Sequence, residues 1–141
     1  MKRWIRITLT VLTGAVGLTA VAGGLALVVA ALTASEAGGV APDRSYLGGS
    51  PFTSYVVPGV VLAVVVGGTQ ILASILTGRG SAAGPLAVAV AGFGLLIWIF
   101  VQMMFIPFSP LQAAYFVVGL GELGLVLLGL GLFHRRAVAA S

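Results

Sequence analysis

Residues 84–133 read GPLAVAVAGFGLLIWIFVQMMFIPFSPLQAAYFVVGLGELGLVLLGLGLF, and Glu122 is the one charged side chain among them. A membrane-spanning helix needs about 20 mainly apolar residues, so this stretch is long enough for two. The cut between them falls at Pro107-Phe108-Ser109-Pro110. There, two prolines remove backbone donors and drive the residues before them out of helix. Working outward, 34 uncharged residues separate Arg44 from Arg79, and 29 separate Arg6 from Glu36. Each of these runs holds one further span. The expected fold is therefore all-α: a transmembrane up-down-up-down four-helix bundle in one domain, 1–141. Its spans lie near 7–33, 56–77, 85–106 and 111–133, and the loop 34–55 faces outward.

Composition agrees. The chain has 141 residues, 60% hydrophobic and 7% charged, with a mean hydropathy of +1.19. Soluble domains carry about 25% charged residues, so this composition cannot cover a water-facing surface. A water-soluble enzyme is excluded, and so is a nucleic-acid-binding domain. Seven basic residues against three acidic ones are too few to track a phosphate backbone. There is no cysteine, hence no disulfide, thiol nucleophile or cysteine-held metal.

Charge also sets the expected orientation. With the N-terminus inside, Lys2, Arg3, Arg6, Arg79, Arg135 and Arg136 are cytoplasmic and only Arg44 is outside, a positive-inside pattern. Both termini are then cytoplasmic, in a multi-pass protein of the plasma membrane. Tyr46, Phe52, Tyr55, Phe105 and Phe108 fall at the outer boundary, with Trp4 and Phe133 near the inner one, as interfacial aromatics do. The first apolar run is longer than the 7–15 residues of a secretory core, so it reads as an uncleaved anchor.

Helix starts carry recognisable chemistry. Ser50-Pro51 and Ser109-Pro110 each offer a capping hydroxyl followed by a proline at the first helical position, and Gly84-Pro85 opens the third span in a similar way. The second span begins at Pro58, or begins at Pro51 and kinks at Pro58. Apolar side chains gain little by leaving lipid for one another, so small residues and polar contacts must bring such helices together. Gly59, Ala63 and Gly67 supply small residues on the second span, and Ala83, Ala87 and Ala91 around the third. Close packing within the bundle is the ordinary use of such stripes, ahead of a dimer face.

Glu122 is the most informative residue. Eleven positions into the last span, it lies roughly 16 Å deep, near the middle of a hydrocarbon layer about 30 Å thick. A carboxylate there costs several kcal/mol unless protonated, paired or hydrated, and no basic residue shares its level. The structural reading is a neutral acid hydrogen-bonded to Gln70, Thr69 or a backbone carbonyl. The functional reading is a proton-coupling site. Tyr115, seven residues earlier, shares its helix face. Trp98 and Gln102, four apart on the third span, share another, and Trp98 is expected to pack in the bundle with its N–H satisfied.

Other motifs carry less. Gly119-Leu-Gly-Glu-Leu-Gly124 has the letters of a dinucleotide fingerprint but lies mid-span with no strand before it, and Gly78-Arg79-Gly80-Ser81 lacks the lysine and spacing of a phosphate loop. His134 is the only histidine, beside Arg135 and Arg136, and reads as a helix-end group facing anionic headgroups. No haem with two histidine ligands fits one histidine, and no zinc site is supported. No cofactor is expected.

The segment Ser50-Pro51-Phe52-Thr-Ser-Tyr55-Val-Val-Pro58-Gly59, with Gly67-Gly68, resembles a family of small bacterial four-helix membrane proteins of unknown function. Ile97-Trp98-Ile99 with Gln102, and Leu111-Gln112-Ala-Ala-Tyr115-Phe116-Val-Val-Gly119 with Glu122, extend the likeness over the last two thirds of the chain. The resemblance implies a bacterial inner membrane and brings no activity. A shorter likeness, Gly121-Glu122 before an apolar glycine-rich run, is to DoxX-like membrane proteins.

Three functions remain in view. The first is a non-enzymatic scaffold or accessory subunit, as a homo-oligomer or within a larger membrane complex, surrounded by lipid. The second is a small proton-coupled transporter, similar in size to small multidrug resistance proteins, although their carboxylate lies in the first span and Glu122 in the fourth. The third is an accessory part of a membrane oxidoreductase, which would have to borrow its cofactor. What separates the first two is whether Glu122 lines an open cavity or is sealed among helices.

Overall fold

A computed structural model describes residues 1–32, 56–105 and 109–131. Four helices account for nearly all of them: α1 (Arg3–Leu32), α2 (Val56–Gly78), α3 (Gly84–Phe105) and α4 (Pro110–Gly129). All four are long and apolar enough to cross a membrane, and the fold is an all-α four-helix bundle. The outward loop 34–55, Ser50-Pro51, Phe108, Phe133 and the His134-Arg135-Arg136 cluster lie outside the described residues.

Local chemistry explains the ends. Ser109 caps α4 through a reciprocal box: Gln112 N–H donates to its Oγ at 3.4 Å, and Ser109 N–H donates to Gln112 Oε1 at 3.1 Å. Pro110 follows at the first helical position, where no backbone donor is needed. Within the described residues α2 begins at Val56, with Pro58 two positions on; the alternative start at Pro51 lies outside the described residues. The last span is shorter than its apolar run. The helix stops at Gly129, and Gly131 takes a left-handed φ of +73°, the conformation in which glycine ends helices.

One feature of α2 was not legible in its sequence. Leu62–Val66 form a π-helical turn, closed by Gly67 N–H to Leu62 C=O. A π turn holds an extra residue, so it re-phases the rest of α2 without breaking the helix. Gly59 and Gly67 still face α1 on either side of it, while Gln70 is turned into the bundle centre.

Glycines set the tightest contact, between α1 and α2. A Cβ on Gly24 would collide with Gly59 C=O and with the Ala63 N and Cβ; one on Gly59 would lie 2.8 Å from Gly24 C=O. Further along, Gly67 meets Val21 and the Gly17 carbonyl, and Gly14 meets Ser74. The partners run in opposite order along the two helices. Ser74 adds a cross-helix bond, its hydroxyl donating to Thr10 C=O at 2.8 Å. On α3, Ala91 is buried and Ala87 packs on the core. Ala83 departs from the expected stripe: it is exposed in the turn before Gly84, because the helix starts one residue later.

The interior has two apolar clusters. Ile5, Leu9, Ala73, Val88, Ala91 and Val126 pack toward the Arg3 end. Val16, Ala20, Val66, Leu95 and Ile99 pack toward the Ser109 end. Outward, the bundle presents Leu18, Leu72, Leu86, Phe93, Ile97, Phe100 and Val117, all more than half exposed. Soluble proteins rarely expose apolar patches of that extent, and hydrocarbon is the solvent that suits them.

Candidate functional site: an acid–amide layer and the cavity above it

Between the two apolar clusters lies a polar layer. Glu122 of α4 and Gln70 of α2 are both fully buried. Gln70 Nε2 donates to Glu122 Oε2 at 3.0 Å and to the Ala91 carbonyl of α3 at 3.2 Å. Both neighbours are acceptors, which fixes the orientation of the amide. One side chain thus ties three helices at mid-bundle. Gly92 of α3 lies beside it, where a Cβ would crowd Leu123 of α4 at 3.1 Å and meet Glu122 Oε2 at an ordinary 3.5 Å.

Two oxygens in the layer meet no donor, Glu122 Oε1 and Gln70 Oε1. A carboxylate has only acceptors, whereas a carboxylic acid carries one O–H. A neutral acid would bring a further donor to a cluster whose amide N–H groups are already engaged. Thr69, the other partner considered from sequence, instead bonds within its own helix, donating to Val65 C=O at 2.7 Å. Gly67 faces α1, and Gly68 faces open space.

The remaining sequence candidates assemble elsewhere. Tyr115, Trp98 and Gln102 line a cavity of about 140 Å³ toward the Ser109 end, with Thr19, Leu62 and Gln112 among its other walls. Tyr115 O–H donates to Thr19 Oγ1 at 2.7 Å, joining α4 to α1. Sharing a helix face with Glu122 does not bring Tyr115 to it. Val66 and Leu95, each about one turn from the acid–amide layer, also line this cavity and are almost completely buried. Glu122 and Gln70 are not among its walls.

Trp98 corrects an expectation: its indole N–H is buried without an acceptor. Trp98 packs against the cluster of Val16, Ala20, Val66, Leu95 and Ile99, whose side chains offer no acceptor. Among the described residues no group of three His, Cys, Asp or Glu could hold a metal. Comparison with family models, with curated proteins and with solved structures gives no match.

Proposed function

We propose that this chain is a non-enzymatic scaffold or accessory subunit of a bacterial plasma membrane, its helices crossing up-down-up-down with both termini cytoplasmic. The observation that carries the reading is the burial of Glu122 against Gln70. A coupling carboxyl must exchange its proton with one side of the membrane and then the other, which requires a wet approach. Here the carboxyl is covered by packed apolar residues and used as an acceptor by an amide that also holds α3. Such a group is suited to fixing helix register. The six-to-one division of basic residues supports the orientation.

Glu122→Gln tests the reading. A scaffold needs only a neutral hydrogen-bonding group, so the variant should keep its thermal stability within about 1 kcal/mol, the scale of one neutral hydrogen bond. It should also co-purify with the same membrane partners as the parent. Proton uptake driven by a hydrophobic cation in proteoliposomes, lost in Glu122→Gln, would replace the scaffold with a transporter.

A further inference from the structure

At the Arg3 end a second, polar pocket of about 260 Å³ lies between α1 and the turn joining α2 to α3, walled by Arg6, Thr77, Gly80, Ser81, Gly84 and Pro85, among others. Thr77 is its unusual member. Thr8, Thr10, Thr13, Thr19 and Thr69 each donate to the carbonyl four residues back, the usual resting place of a helical threonine hydroxyl. Thr77 does not. It is 3% exposed and its Oγ1 has no partner. That hydroxyl sits where a Cβ on Gly84 would be 3.3 Å from it, so the absence of a side chain at Gly84 lets it approach the first turn of α3.

Two sources of positive potential meet there, beside a second hydroxyl. Arg6 lies over the turn, its Nη1 3.2 Å from where a Gly80 Cβ would stand, and Gly80 holds a left-handed φ of +69° that suits glycine. Glu122 is the only acidic side chain among the described residues and is buried against Gln70, so no described acid neutralises Arg6. The N-terminus of α3, 22 residues long, adds the positive end of its dipole. Ser81 supplies a second hydroxyl, already accepting from Ala83 N–H at 3.2 Å and free to donate.

We propose that this pocket binds a phosphate oxyanion, with Arg6 providing the charge, Thr77 and Ser81 the hydroxyl donors, and the α3 N-terminus the dipole. Its source is either the phosphodiester of an anionic phospholipid or free phosphate. The lipid source rests on the membrane reading above, which places this end of the bundle at headgroup depth.

The test measures lipid binding by native mass spectrometry on protein reconstituted in phosphatidylcholine, titrated with phosphatidylglycerol. Arg6→Gln and Thr77→Val should each weaken phosphatidylglycerol binding about tenfold, the weight of a hydrogen bond to a charged group, and Thr77→Ser should restore it. Arg79→Gln, an exposed arginine of the same turn outside the pocket wall, should retain it. Inorganic phosphate raising the melting temperature in neutral detergent, through Thr77 and Arg6, would support the same site with free phosphate as its ligand. Equal losses in Arg79→Gln and Thr77→Val, or no loss in either, would overturn the site while leaving the membrane reading standing. Failure of the parent chain to enter vesicles would overturn both.

Discussion

Gln70 does more at mid-bundle than its place in the sequence announces. Replacing it by Leu leaves Glu122 Oε2 without its donor and removes the bond that the Ala91 carbonyl accepts beside its helical one, at an expected cost of about 2–3 kcal/mol. Glu122→Gln, which keeps a hydrogen-bonding group, should cost much less. Thermal unfolding of both variants in one detergent checks the order, and no loss in Gln70→Leu would mean that the bond stabilises nothing. The weight of Glu122 was legible from its depth and its isolation among apolar residues, and Gln70 was among the partners that depth allowed. Trp98 was not legible in the same way. Whether an indole N–H finds an acceptor depends on which side chain of a neighbouring helix reaches it, and spacing along one helix carries no such information.

Among the elements, the α1–α2 contact is the tightest and the most readily tested. Gly24→Ala would drive a methyl group into the Gly59 and Ala63 backbone, and overpacking of this kind costs typically 1–3 kcal/mol. Gly121→Ala on α4 is the matched control, because nothing lies within 4 Å of the added Cβ, and stability should hold or rise with helix propensity. Loss in both variants would show that close glycine packing is not what distinguishes them. Four-residue spacing revealed Gly59, Ala63 and Gly67, but not that their partners are Gly17, Val21 and Gly24 on α1. The π turn at Leu62–Val66 was hidden for a related reason: it occurs within a uniform apolar run, where no proline or glycine marks an extra residue. The exposed Ala83 shows the converse error, a stripe extended one position past the start of its helix.

At the scale of the whole molecule, two apolar clusters are separated by one polar layer and enclosed by outward-facing aliphatic and aromatic side chains. The four long apolar helices were legible because charged residues and the Pro107–Pro110 break divide the chain so unevenly. Orientation is tested by single cysteines at Ser45 and Ser141 in a chain that has none. An impermeant thiol reagent on intact cells should label the first and not the second, and the reverse result would invert the bundle. The proposed scaffold rests on a carboxyl held as a neutral acid against an amide. Infrared spectroscopy of the reconstituted protein at neutral pH measures it directly. A protonated-carboxyl stretching band should be present, be absent in Glu122→Gln, and shift in Gln70→Leu as its hydrogen-bond partner is removed. A spectrum in which Glu122 contributes only carboxylate bands would contradict it.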